Sequence, residues 1–452
     1  MTVNCLFIRR RGVKRMTQKM EKTLRARSAV SQILFCCIPT NYGKSTASAI
    51  TGERDGIGVD VTAEKDKIKF EGDDGGDVQP FNFMNGPMSM LWFRKYVFNT
   101  QASIASPIVK AQGDWSDPVA EPAWEAVRNG HSVAAKGDFL YGIGYDLARI
   151  GVIALKGDKI YQQKWAYDFP SQLTEEGVVY HGEAVAFLGD DLCVLFNGNQ
   201  GGGYDNYVLG YVVRYAVNSD DGTLTYKDSV RVGKNSFSLN LYGGKLYVPA
   251  IGGMQQAGSA NEDASVYIVS VNALSKKLVS KKVVLPSGVT GDFRDIAMAN
   301  GKAYVLTGFY TSDYSKLTGK LYKTPVSNLE AASPEAWTEM QDINQAGYLW
   351  GLHAEENKRF WFVKGQRIQV FSDAVAVVPS TVPYRDFTLD KLTDDTSFSQ
   401  INGACFVAGD TEIRMKGPMG AAAAPAGKSL AGQIRLAREA HMLAEKKKKE
   451  IK

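Results

Sequence analysis

Seven times along this chain of 452 residues, a two-residue turn opens a short run of aromatic and β-branched residues. The turns are Asn85-Gly86, Gly137-Asp138, Gly189-Asp190, Gly243-Gly244, Asn300-Gly301, Asn357-Lys358 and Asn402-Gly403. Their first residues lie 52, 52, 54, 57, 57 and 45 apart. Tight hairpins of the primed types need positive φ, which Gly and Asn adopt cheaply, so each turn predicts an antiparallel strand pair. Asn357-Lys358 departs from the pattern, and Glu355-Glu356-Asn357 reads as a longer turn there. Each repeat then has room for two more strands: 149–155 and 159–167 after the second turn, 207–215 and 223–232 after the third. Four antiparallel strands per repeat make a propeller blade. The expected fold class is therefore all-β, a seven-bladed β-propeller of four-stranded antiparallel blades, with a six-bladed ring as the alternative if the first or last hairpin is peripheral.

The seventh repeat looks incomplete after residues 411–415. Residues 59–70 are expected to supply its missing outer strand and so join the two ends of the chain, removing an exposed sheet edge. The expected division is 1–49 as a basic leader, 50–420 as the propeller, and 421–452 as an Ala/Pro linker with a basic tail. Residues 1–49 carry ten Lys/Arg and one acid, followed by an apolar stretch at 29–38 and the small-x-small pattern Ala47-Ser48-Ala49. That order resembles a secretory signal and implies an exported chain, periplasmic or at the cell surface. The formal charge of +5 belongs to the two ends; the body carries 35 basic and 44 acidic residues, which argues against a nucleic-acid partner. No stretch reaches the length of a transmembrane span. Cys193 and Cys405 fall in distant repeats and read as buried apolar residues rather than a disulfide.

Over residues 57–415 the repeat resembles the exported bacterial propellers grouped with the YVTN, quinoprotein-like and kelch-like repeats. The resemblance implies the ring architecture alone. There is no Trp-Asp repeat end, no regular kelch pattern and no repeated Trp-docking motif, so no functional residue is carried over.

In a propeller the first strand of each blade lines the central channel. Counting back from the turns puts His131, His181 with Glu183, Asp292 with Arg294, and Trp350 with His353 at or near the channel entry. His181 and Glu183 are two apart and face one side of a strand, a spacing that serves metal binding or acid/base work. His131, His181, Glu183, Arg294 and His353 are thus the catalytic candidates, although His131 and His353 come from blades that need not approach the His181 pair. The plainer reading is a polar channel lined with water. No cofactor is predicted; calcium or zinc is the ion such ligands would take.

The loops between second and third strands are long and carry amides, carboxylates and rings. Asn197 to Asp205, Phe309 to Tyr314, and Tyr145-Asp146 form one rim. Tyr145, Asn199, Tyr204, Asp205, Tyr310 and Trp350 are the binding candidates, since amides beside aromatic faces hydrogen-bond and stack; solvated turn chemistry is the plainer account. Glu71 to Asp77 lacks the spacing of a calcium loop, and Gly427-Lys428-Ser429 lacks that of a phosphate loop. The Lys446 to Lys449 run reads as a solvated end with, at most, weak contact to an acidic surface. The leading expectation is an exported, non-catalytic propeller that binds a protein or glycan at one rim. The alternatives are a metal-assisted hydrolase or lyase at the channel, and a structural component of the cell envelope.

Overall fold

The computed structural model describes side chains between residues 127 and 388, with gaps that include 155–162, 202–205, 254–257 and most of 344–388; outside those bounds it describes strand backbones. The chain is all-β, built of four-stranded antiparallel sheets that each run in chain order. Sheet I comprises Gly130–Lys136, Phe139–Gly144, Arg149–Ala154 and Gln163–Asp168. Sheet II comprises Val178–Leu188, Asp191–Gln200, Tyr207–Val217 and Leu224–Lys234. Sheet III comprises Asn240–Tyr242, Lys245–Ala250, Ser265–Val271 and Leu278–Val284. Sheet IV comprises Asp292–Ala299, Lys302–Tyr310, Lys316–Pro325 and Thr338–Ala346, and sheet V Leu349–Ala354, Arg359–Lys364, Arg367–Ser372 and Arg385–Thr388.

The turn chemistry holds in sheets I to IV, but Asn402-Gly403, expected as a hairpin turn, lies instead inside the continuous strand Phe398–Val407, where Gly403 pairs with Cys36. Gly137 and Gly189 take φ of 58° and 65°, as the first central residue of a II′ turn requires. Gly243-Gly244 and Asn300-Gly301 are positive at both positions, as type I′ requires. These turns match the right-handed twist of the flanking strands and so set the register of each hairpin.

Sheets II, III and IV bury both faces against their neighbours, which is why their strands alternate between two apolar sets rather than between apolar and polar. In sheet II, Val185, Phe187, Leu192, Val194 and Phe196 pack against Phe139, Tyr141, Ile150 and Val152 of sheet I. The intervening Ala184, Ala186, Leu188, Cys193 and Leu195 pack against Leu246, Val248 and Val269 of sheet III. The small Ala side chains lie on the innermost strand, where two sheets converge. The first strands of sheets I to V touch one another in succession, so these strands form the inner edge of the stack.

The first strands of sheets I, II, IV and V share a defect that sheet III lacks. Pairing with the second strand skips His131 in sheet I, Glu183 in sheet II and Arg294 in sheet IV, and breaks between Leu349 and Leu352 in sheet V. Such bulges insert one residue, bend the strand and re-aim a side chain.

A further sheet runs in the order Met415–Lys416, Phe398–Val407, Ser31–Pro39, Lys44–Arg54, Val59–Glu71. The two ends of the chain meet in one sheet, and Val59–Glu71 supplies its outer strand as expected. Val59–Glu71 is the outermost strand and is separated from Phe398–Val407 by two others, because Ser31–Pro39 takes the adjacent position. Residues 31–38 and Ala47-Ser48-Ala49 of the expected leader thus form strands here. Met90–Phe93, Tyr96–Asn99 and Ile108–Val109 make a three-stranded sheet. Among the described residues no helix is long and apolar enough to cross a membrane, and Cys193 is free and buried.

Candidate functional site

The bulge at His131 and the bulge at Glu183 aim these side chains at each other across the seam between sheets I and II. His131 Nδ1 lies 2.7 Å from Glu183 Oε2, and each residue is 1% exposed. His131 belongs to a repeat that need not have approached the His181 pair, and the structure brings it to Glu183. Glu183 is the residue it meets, because the bulge turns that side chain toward sheet I. Glu183 Oε1 accepts from Asn197 Nδ2 at 3.1 Å, and Asn197 in turn donates to Ser236 O at 2.8 Å and accepts from Ser236 N–H at 2.9 Å. A buried polar chain therefore crosses from sheet I through sheet II to the edge of sheet III.

Burial pushes the Glu183 carboxyl above the usual carboxylate range, a shift that His131 and the Asn197 hydrogen bond oppose. When Glu183 is ionised it only accepts, so His131 donates from Nδ1, and in a neutral imidazole the lone pair is then at Nε2. That Nε2 is buried and has no hydrogen-bond partner. The Tyr145 ring contacts both histidines, 4.9 Å from His131 and stacked on His181 at 4.2 Å. His181 Nδ1 donates to Tyr145 O at 3.2 Å, since a carbonyl can only accept. His131, Tyr145, His181 and Glu183 thus form one cluster.

Arg294 and Tyr310 form another, in sheet IV. The Arg294 guanidinium sits 5.1 Å from the centroid of the Tyr310 ring and donates from Nε to Gly308 O at 2.8 Å. Asp292, fully buried, faces Arg294 Nη2 at 3.5 Å, a charge contact too long for a strong hydrogen bond. Asn261 donates to it twice, from N–H at 2.5 Å and Nδ2 at 3.0 Å. Burial raises the Asp292 carboxyl, opposed by Arg294 and Asn261. Beside this cluster Asp295 accepts from Ser238 Oγ and from Leu352 N–H, linking sheets III, IV and V. This pair braces the inner strands.

Asn199 was expected in a rim loop, as was Tyr310. Both instead end a second strand, Asp191–Gln200 and Lys302–Tyr310, because pairing continues to Asn199–Tyr207 and Tyr310–Leu317. Trp350 and His353 lie on the strand Leu349–Ala354, whose side chains at those positions are outside the described residues, as are Tyr204 and Asp205 altogether. Sequence reasoning placed Asn197 in a rim loop, where the structure has it inside the strand Asp191–Gln200, and missed Asn235 and Asn261. Asn197 and Asn235 occupy the stitching between sheets II and III, and the single signal for Asn235 is its tolerance of positive φ, here 54°. Among the described residues no three His, Cys, Asp or Glu side chains gather as metal ligands would.

No family model matches the chain, and no curated protein does. Solved structures do. A protein from Bacteroides fragilis named a 6-phosphogluconolactonase is 12% identical, with a TM-score of 0.52 over 84% of this chain and 98% of that one. One of the same name from Bacteroides uniformis is 11% identical, with a TM-score of 0.51 over 84% of this chain and 100% of that one. Both neighbours bear the name of a hydrolase, and with the buried His131–Glu183 pair this overturns the expectation of a non-catalytic propeller binding a protein or glycan at one rim. At such identity the likeness is one of fold, and the fold it shows for this chain is of the general β-propeller type.

Proposed function

We propose that the chain is a hydrolase that opens a carboxylic ester at the inner edge of sheets I and II, with His131 as the general base and Glu183 as its positioning residue. The observation that carries this reading is the buried 2.7 Å contact between His131 Nδ1 and Glu183 Oε2, which leaves Nε2 as an unpartnered base. Water gives a proton to Nε2 while its oxygen adds to the ester carbonyl carbon. The carbonyl–alkoxy bond then breaks, and the proton passes from Nε2 to the departing oxygen. The carboxylate opposite Nδ1 holds the productive tautomer and stabilises the imidazolium formed in between. The name of the two neighbours supports a cyclic ester, a lactone, as the substrate class, whose single product is a hydroxy acid.

The test is hydrolysis of a panel of γ- and δ-lactones followed by proton release. Wild type is expected to turn over at least one of them. Glu183→Gln preserves the shape but lets its amide donate to Nδ1, which moves the imidazole proton to Nε2 and removes the base. It is expected to lower kcat by roughly 10²–10⁴, the usual worth of general-base catalysis, as is His131→Ala. No turnover by wild type, or full turnover by Glu183→Gln, refutes the reading.

For the architecture we propose seven blades. Supporting this, the strand Phe398–Val407 touches Met90–Phe93, which touches Gly130–Lys136, and at the other end Leu349–Ala354 touches Phe398–Val407, so the succession of inner strands returns to its start.

A further inference from the structure

The seam between sheets II and III is apolar at its far end, where Cys193 and Leu195 pack on Leu246 and Val248. Continuing the same face of the strand brings Asn197 and then Asn199. Asn197 is fully engaged, through Glu183 and Ser236. Asn199 and Asn235, on either side of that engagement, are both 0% exposed, and neither end of either amide has a hydrogen-bond partner. Among the described residues they are the two side-chain amides orphaned at both donor and acceptor. The backbone around them is closed: Tyr207 N–H donates to Gly253 O, Ile251 N–H to Asn235 O, and Gly252 N–H to Lys234 O. A buried amide without partners is costly and rare, and two in one seam imply a polar guest.

We infer that Asn199 and Asn235 recognise vicinal hydroxyls of a polyhydroxylated substrate, a specificity site beside the His131–Glu183 pair; this rests on the hydrolase reading. A carboxamide offers one acceptor and one donor group, which match a diol whose first hydroxyl donates and whose second accepts.

The test separates binding from turnover. Gluconate, a polyol that no ester hydrolysis can consume, is titrated calorimetrically into wild type, Asn199→Leu and Asn235→Gly; the glycine keeps the positive φ of that position. Wild type is expected to bind, and each variant to bind on the order of tenfold more weakly, from the loss of a hydrogen-bonding group or two. The ratio of kcat/KM for glucono-δ-lactone over unsubstituted δ-valerolactone is expected to fall by a similar factor, with turnover of δ-valerolactone and Tm unchanged. Absence of gluconate binding in wild type, or binding by both variants as tight as that of wild type, overturns the inference and leaves the amides to buried water. If no lactone is hydrolysed but gluconate binds through the two amides, the hydrolase reading fails alone.

Discussion

Desolvation at Glu183 outweighs the two hydrogen bonds its carboxylate accepts, so the folded protein holds that proton to higher pH than a free glutamate does. Folding therefore takes up a proton in the window above about pH 4.3, the ordinary glutamate value. The stability this group contributes is fully present below that value and is lost as pH rises through the elevated folded one. Glu183→Gln does not titrate there. Denaturant unfolding at a series of pH values is expected to show wild type losing stability relative to Glu183→Gln across the window; parallel curves would mean that the carboxyl is not desolvated. Activity runs the other way, because only the ionised carboxylate pins the useful tautomer of His131. The acid limb of the kcat/KM profile is expected above the usual carboxylate range. The value of both residues was half legible: His181-x-Glu183 showed two polar groups in an otherwise apolar strand. Which histidine the carboxylate meets was hidden, because that is decided by a bulge.

At the scale of the strand, the bulges recur at one place in the hairpin, six residues before the turn at His131, Glu183 and Arg294. A two-residue turn can be read locally, since its backbone demands specific residue types. A bulge is defined by the strand opposite, and nothing in six or seven residues of one strand reports its partner's register. The same limit misassigned Asn199 to a loop. Gly182 marks how closely the sheets approach beside the site: a Cβ there would lie 2.2 Å from Ile143 Cγ1 and 2.7 Å from Gly144 O of sheet I. Gly182→Ala is expected to cost about 1–3 kcal/mol, as overpacking does. It is also expected to depress lactone turnover by parting His131 from Glu183. Retained activity in a destabilised Gly182→Ala would show that the seam absorbs the strain elsewhere.

For the whole molecule, closure depends on which segments complete the sheet shared by the two chain ends. Ser31–Pro39 pairs on one side with Phe398–Val407 and on the other with Lys44–Arg54. Removing it leaves an open strand edge on Phe398–Val407, a template for association with other chains. A chain that starts at Ile50 is thus expected to melt several degrees below the full chain and to self-associate, by calorimetry and light scattering. Equal melting of the two would return residues 1–49 to the role of a cleaved leader. One apolar, β-rich stretch suits both roles, which is why composition alone supported the leader.

The repeat, the turns at Gly137, Gly189, Gly243 and Asn300, the four strands of sheets I to V and the placing of His131, Glu183 and Arg294 on inner strands were determined by the sequence itself. These are local consequences of chain stiffness, positive φ and strand periodicity. The tertiary structure alone decided that His131 meets Glu183, that Asn197 joins them to the next sheet, that Asn199 and Asn235 lie buried without a protein partner for their amides, and which strand sits beside Phe398–Val407. Those pairings join residues far apart in the chain, through bulges and sheet seams whose geometry exists only once neighbouring sheets have packed.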